Sequence, residues 1–91
     1  MKIEDFEPHL NEGFALSHPG GDLEMTLVEV SRRGQSTREG GAFALLWEAS
    51  RDPVLPQGIY RLSRAGIGSF EVFIVPVGQF ETCTQYEAVY S

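Results

Sequence analysis

Two segments decide the fold class of this chain: Phe43-Ala44-Leu45-Leu46-Trp47 and Phe70-Glu71-Val72-Phe73-Ile74-Val75-Pro76-Val77. Successive side chains of a strand point to opposite faces. Both segments carry large apolar side chains on one face and further apolar side chains on the other. A single-layer antiparallel sheet covers only one face, so the second set needs cover. Either an N-terminal helix and a folded-over sheet supply that cover, or another subunit does.

Strand patterns bounded by glycine, proline or polar residues recur along the rest of the chain. We predict six strands, over residues 14–17, 23–30, 42–49, 58–63, 69–77 and 85–90. The predicted fold is mainly all-β: an antiparallel six-strand meander that forms a small barrel or sandwich, with one short N-terminal helix. Ninety-one residues are one domain's worth of chain, so residues 1–91 form a single β domain.

The helix is predicted over residues 6–11, with Asp5 as its N-cap. Ile3, Phe6 and Leu10 would then share one face and pack onto the sheet.

Several local features interrupt the strand pattern. The alternation within residues 23–30 changes phase after Leu27, which predicts a β-bulge at Leu27-Val28. Pro76 has no N–H to donate, so its strand is edge-like or bulged there. Residues 31–41 are polar and glycine-rich, and we predict a long mobile loop. Residues 53–58 carry two prolines and form a structural corner or a recognition loop.

The net charge of −6 lies in the first third of the chain. Residues 1–30 hold seven acidic side chains against Lys2, whereas residues 31–91 hold six acidic side chains and six arginines. This balance lacks the basic face that a phosphate backbone requires, so we expect no nucleic-acid partner. The chain has no apolar run near the roughly 18 residues of a membrane span, and its N-terminus lacks the apolar stretch of a signal peptide. With a single cysteine, Cys83, we expect a soluble cytoplasmic protein and no membrane partner.

Residue types common in active sites are present but poorly spaced. Ser17, His18 and Asp22 fall beside one turn, and adjacent strand residues point to opposite faces, so they are better explained as turn residues than as a catalytic triad. His9 and His18 are the only imidazoles, and no metal-ligand spacing is present. We therefore predict no catalytic residue, no metal and no cofactor.

Four aromatic side chains are the candidates for a ligand or partner contact: Trp47, Tyr60, Phe73 and Tyr86. Aromatic residues dominate both cores and interfaces, so a ligand-stacking role ranks second for them. In a small-ligand barrel, Trp47, Tyr60 and Phe73 would line the pocket. If Trp47 and Phe73 are core residues, truncation of either to Ala would lower the free energy of unfolding by about 3–5 kcal/mol.

Four strand segments together resemble a known family. They read Phe43-Ala44-Leu45-Leu46-Trp47, Gln57-Gly58-Ile59-Tyr60-Arg61-Leu62, Phe73-Ile74-Val75-Pro76-Val77-Gly78 and Tyr86-Glu87-Ala88-Val89-Tyr90. Over nearly its whole length the chain is similar to an uncharacterised family of small bacterial single-domain proteins, a domain of unknown function. These segments are of core type, so the resemblance implies a fold and no catalytic residue. It also implies proximity to phage-tail-collar-like fibre proteins, and hence a role in assembly.

Two functions stay open at this point. The first is a non-enzymatic binding or assembly module that acts through protein–protein contacts, with a phage-tail-like fibre protein as a candidate partner. The alternative is a small-ligand-binding β-barrel with an aromatic-lined pocket. Under the first hypothesis, the strands that are apolar on both faces predict a homodimer. The acidic first third and the arginine-bearing middle of the chain would then set the pairing geometry.

Overall fold

Six antiparallel strands close into a barrel in the computed structural model of this chain, which describes residues 1–33 and 41–90. The strands are β1 (Gly13–His18), β2 (Gly21–Arg33), β3 (Ala42–Ser50), β4 (Gly58–Arg64), β5 (Gly68–Gln79) and β6 (Cys83–Tyr90). Their order around the barrel is β1-β2-β3-β6-β5-β4, and β4 pairs with β1 to close it. The predicted all-β class with a short N-terminal helix is confirmed, and the sheet is a barrel rather than a sandwich.

The predicted meander is present as two halves of three strands each. β1–β2–β3 form one half and β4–β5–β6 form the other, with antiparallel pairing inside each half. The chain leaves β3 and crosses one end of the barrel before it enters β4. Consequently β3 pairs with β6 and β1 pairs with β4, and these two seams join the halves.

The N-terminal helical segment consists of two short 3-10 turns, Ile3–Asp5 and Glu7–His9. The prediction of one helix over residues 6–11 is wrong in its bounds and in its cap. Asp5 does not cap a later helix: its Oδ2 accepts a hydrogen bond of 2.7 Å from the Lys2 backbone N–H. Pro8 lies within the second turn, where a missing N–H is tolerated.

Ile3 and Phe6 are the buried residues of this segment, with 2% and 0% of their surface exposed. Residues three apart eclipse in a 3-10 helix, which places both on one face. The prediction that Leu10 packs beside them is wrong, since Leu10 is 43% exposed. The physical reason is that the helical turns have ended there, and Leu10 has an extended ψ of 134°.

Phe6 closes one end of the barrel, which we call the Phe6 end. Its ring centroid lies 6.0 Å from that of Phe43, 5.5 Å from that of Phe70 and 5.9 Å from that of Tyr90. Phe43 and Tyr90 stack on each other at 4.7 Å. These separations are typical of favourable aromatic pairs. The N-terminal segment therefore fills the end of the barrel and does not cover the outer face of the sheet.

The loop between β3 and β4 closes the opposite end, which we call the Leu55 end. Leu55 is 5% exposed, and its N–H donates a 3.0 Å hydrogen bond to the Tyr86 hydroxyl. The Tyr60 hydroxyl donates to the Pro56 carbonyl at 2.7 Å, and Thr84 Oγ1 donates to the Arg51 carbonyl at 2.9 Å. Of the two interpretations of residues 53–58, these bonds favour the structural corner.

The predicted irregularities occur where the sequence placed them. The register of β2 against β3 shifts between Leu27 and Glu29, and that of β5 against β6 shifts between Pro76 and Gly78. The prediction that a loop begins at Ser31 is wrong, because residues 31–33 pair with residues 42–44. Strand pairing uses backbone groups, which polar residues also supply. Residues 34–40 of the predicted loop lie outside the described residues.

We predict that Phe6→Ala lowers the free energy of unfolding by about 3–5 kcal/mol, because it removes a fully buried ring and leaves a cavity. Leu10→Ala is the matched control on the same segment. Its exposed side chain should cost less than about 1 kcal/mol. Urea denaturation followed by circular dichroism measures both. Equal effects of the two variants would contradict the assignment of Phe6 as the residue that closes this end.

Candidate functional site

The four aromatic candidates lie in three different environments. Trp47 and Tyr86 are direct cross-strand partners inside the barrel, and both are fully buried. Tyr60 is partly buried and packs against the core, with its hydroxyl at the Leu55 end. Phe73 lies on the outer face and is 50% exposed. The structure therefore brings Trp47 and Tyr86 together, whereas Trp47, Tyr60 and Phe73 do not line one pocket.

Trp47 and Tyr86 are surrounded by other residues of the barrel core. The Phe14 ring meets Trp47 edge-on, with centroids 4.9 Å apart and planes at 82°. Trp47 Nε1 is buried without a hydrogen-bond partner within residues 1–33 and 41–90. The Tyr86 hydroxyl accepts the hydrogen bond from Leu55 that holds the barrel end closed. Both side chains support the interior of the barrel and are out of reach of an external partner.

Phe73 is the one candidate that faces solvent, so the prediction that it belongs to the core is wrong. The alternation of β5 points Val72 and Ile74 inward, with 6% and 0% exposure, and therefore points Phe73 outward. Its direct cross-strand partner is Ile59 of β4, which is 68% exposed.

Further outward apolar residues lie on the same side of the barrel. Val75 of β5 is partly exposed and pairs with Glu87 of β6, and Val89, two residues further along the same face of β6, is 55% exposed. We call Ile59, Phe73, Val75 and Val89 the outer patch. It spans three neighbouring strands, β4, β5 and β6, on one side of the barrel.

Two ion pairs border the outer patch. Arg61 of β4 and Glu71 of β5 form the next outward cross-strand pair beside Ile59 and Phe73, with Nη2 and Oε2 3.7 Å apart. Both side chains are more than 60% exposed, at 63% and 65%. A long, solvent-exposed pair of this kind contributes little to stability. Its charges are therefore available to a partner.

The second ion pair serves the fold. Arg33 Nη2 lies 2.8 Å from Glu87 Oε2. Arg33 is on β2 and Glu87 on β6, and β3 lies between these strands, so the pair crosses the outer face of β3. Ala44 on that face is 3% exposed. The outward apolar residues of β3 are thus largely covered, whereas those of β4, β5 and β6 are open.

Sequence reasoning missed Ile59 and Val89 as surface residues. A signal was present, since Ile59 lies two residues from Arg61 and Val89 lies two residues from Glu87. Residues two apart share a face of a strand, and a charged residue marks the outer one. The residues on the opposite face of the same strands are Gly58, Tyr60 and Ala88, whose side chains do not identify that face as the inner one.

A second cluster joins the N-terminal segment to the barrel at the Phe6 end. Glu12 Oε1 lies 2.7 Å from His9 Nδ1 and 2.9 Å from Arg64 Nη2. Arg64 Nη1 also donates to the Gly13 carbonyl at 2.7 Å. The hydrogen bond with His9 and the charge of Arg64 lower the pKa of Glu12 below its ordinary value of 4.5. This cluster ties the entry of β1 to the end of β4.

Two surface grooves flank this cluster. One of about 420 Å³ runs over the small outward residues Gly13 and Ala15 of β1, between Glu24 and Arg64. The other, of about 400 Å³, lies between the N-terminal segment and the β4–β5 turn. Neither includes the buried residues Trp47 or Tyr86 in its lining.

His18, whose imidazole is a group common in active sites, lies at a turn. His18 Nδ1 accepts a hydrogen bond of 3.2 Å from the Gly20 N–H, as expected of a residue that stabilises its own turn. Residues 1–33 and 41–90 contain no group of three metal-ligating side chains. In the same two ranges, no helix is long and apolar enough to span a bilayer.

Trp47→Ala and Phe73→Ala test the inside and outside assignments together. Loss of the buried indole should lower the free energy of unfolding by about 3–5 kcal/mol, whereas loss of the outward ring should cost less than about 1 kcal/mol. Thermal and urea denaturation measure both variants. Comparable destabilisation by the two would show that β5 has the opposite face inward.

The lowered pKa of Glu12 predicts a pH dependence of stability. A carboxyl group with a lower pKa in the folded state stabilises the fold above its unfolded pKa, here 4.5, and that contribution is lost as the pH falls through the folded pKa. The unfolding free energy of Glu12→Gln should therefore fall less steeply below pH 4.5 than that of the unmodified chain. Glu81→Gln, an exposed carboxyl group near the Leu55 end, is the control and should retain the steep profile.

Comparison with known proteins gives a match at the level of a protein family. No curated protein and no solved structure is significantly similar to the chain. The model of one protein family matches residues 1–90 of the 91 residues. The match covers all six strands and the N-terminal segment. The expected domain of unknown function is thereby confirmed, and the chain belongs to the family described as Domain of unknown function (DUF6916).

Proposed function

We propose that this chain is a non-enzymatic binding or assembly module that acts through protein–protein contacts at the outer patch. The observation that carries the proposal is the exposure of Ile59, Phe73 and Val89, each at least half open to solvent on neighbouring strands. Single exposed apolar residues are ordinary on protein surfaces. Several such residues on neighbouring strands of one side of the barrel, with a charged border, are typical of an interaction site.

Barrel closure determines how a partner would bind. Each of the six strands has a neighbour on both sides, so within the described residues no strand presents its whole edge for strand addition. A partner would contact side chains instead. Phe73 is the central residue of such a contact, because it is the cross-strand partner of Ile59 on β4 and its strand, β5, lies between β4 and β6, which carries Val89.

The ligand-binding alternative has less support. A ligand inside the barrel would have to displace Trp47 and Tyr86, which are fully buried and hold Phe14 and Leu55 in place. Displacing a buried aromatic side chain forfeits several kcal/mol of packing.

Partner class and location belong to the same proposal. The family resemblance implies a fibre protein of the phage-tail type as one candidate partner, and the exposed apolar strand faces favour a second copy of the chain as the other. A single cysteine leaves no internal disulfide to maintain, which fits the reducing cytoplasm as the place of action.

Site-directed photo-crosslinking tests the proposed function. Phe73 is replaced by the photoreactive residue p-benzoylphenylalanine in cells that naturally make the protein, and covalent adducts are identified by mass spectrometry. Phe80 is the matched control, since it is also a phenylalanine, is 51% exposed and lies after β5 at the Leu55 end. We expect adducts with protein from position 73 and few from position 80. Absence of adducts at position 73, or equal yields from the two positions, would contradict the proposal.

A further inference from the structure

The outer patch and its border have a symmetry that points to a particular partner. Ile59 and Phe73 are direct cross-strand neighbours, and so are Arg61 and Glu71, the next outward pair along the same two strands. Each pair sets one residue of β4 beside one residue of β5 at the same height. Consider a second copy related by a two-fold axis that lies parallel to the strands, between β4 and β5. In each pair, the β4 residue of the second copy then lies opposite the β5 residue of the first.

We propose that the β4–β5 part of the outer patch, Ile59 and Phe73, binds a second copy of this chain, in a two-fold symmetric dimer. Ile59 of each copy then packs against Phe73 of the other, and Arg61 of each copy lies opposite Glu71 of the other. An isologous contact requires a surface that is complementary to itself. One apolar pair and one pair of opposite charges, side by side, meet that requirement. This inference rests on the proposed function, for which it names the partner.

Charge across the molecule is compatible with self-association through this face. Of the seven acidic residues at positions 1–30, four lie on or beside the N-terminal segment and three lie on β2, whereas the contact is formed by β4 and β5. Arg61 and Glu71 contribute no net charge to the contact. The two side chains are 3.7 Å apart and highly exposed, so each can leave its partner in the same chain and pair with a charge of the second copy.

The expected dimer is weak. A standard interface involves about 20–30 residues a side, and the convex surface of a six-strand barrel brings only two or three strands of each copy together. We therefore expect a dissociation constant in the micromolar range. Sedimentation equilibrium of the purified chain over a concentration series measures it.

Charge exchange gives the sharpest test. In Arg61→Glu, like charges face each other twice across the axis, and the same holds for Glu71→Arg. Each variant alone should dimerise at least tenfold more weakly, which corresponds to about 1.4 kcal/mol. An equimolar mixture restores both attractions, so a mixed dimer should form with close to the original affinity. A structural role of the pair within one chain would not produce this recovery.

The same variants separate a specific contact from overall charge. The chain has a net charge of −6, so Arg61→Glu carries −6 − 2 = −8 and Glu71→Arg carries −6 + 2 = −4. If overall repulsion governed association, Glu71→Arg would dimerise more tightly than the unmodified chain. The inference requires it to dimerise more weakly. Phe73→Glu should abolish the dimer, and Phe80→Glu, a matched exposed phenylalanine, should leave it intact.

The outcomes distinguish this inference from the proposed function. A purified chain that stays monomeric at high micromolar concentration, or variants that show no recovery on mixing, would overturn the dimer. If crosslinks from position 73 then lead to a different protein, the proposed function stands and only the identity of the partner is wrong. If position 73 also gives no adduct, both fail.

Discussion

The two long-range seams, β1 with β4 and β3 with β6, are the interaction on which the rest of the structure depends. Without them the chain is two separate three-strand sheets, each with one apolar face open to water. With them, one face of every strand becomes the interior, and the ends become the only openings left to fill. Phe6 and Leu55 fill those openings from segments outside the strands. Within the described residues, closure also leaves no strand with its whole edge on the surface.

Much of this fold could be predicted from the sequence, because strand position follows from local pattern. The number of strands, the bulge after Leu27 and the irregularity at Pro76 all depend on residues a few positions apart. The facing of β5 could not be predicted in this way. Hydrophobicity alone does not distinguish the two sets of alternate residues on β5, and only the seams determine which set faces the interior. The two sets are Phe70, Val72 and Ile74, and Phe73, Val75 and Val77. The wrong assignment of Phe73 to the core has this cause.

The surface that results differs from side to side. On β3 the outward alanine is sheltered by Arg33 and Glu87, which are 2.8 Å apart and tie β2 to β6. On β4 and β5 the corresponding charged pair is loose and stands beside the apolar residues rather than over them. The same chemistry, an arginine and a glutamate on outward positions, thus shelters apolar surface in one place and leaves it open in the other. The small size of the outward alanine and the close approach of the charged pair together separate the sheltered side of the barrel from the side proposed to bind.

The crossing from β3 to β4 has a consequence for how the barrel comes into being. During synthesis the first three strands emerge before any of the strands that will cover them. Their core side chains therefore stay exposed to solvent until β4, β5 and β6 have been made, among them Phe14, Leu27 and Trp47. Folding of proteins dominated by non-local pairing is slow, in the millisecond to second range. Until β4, β5 and β6 have joined it, the half-made barrel presents an open apolar sheet with free edges, which is the condition that favours capture by chaperones or misassembly with neighbouring chains.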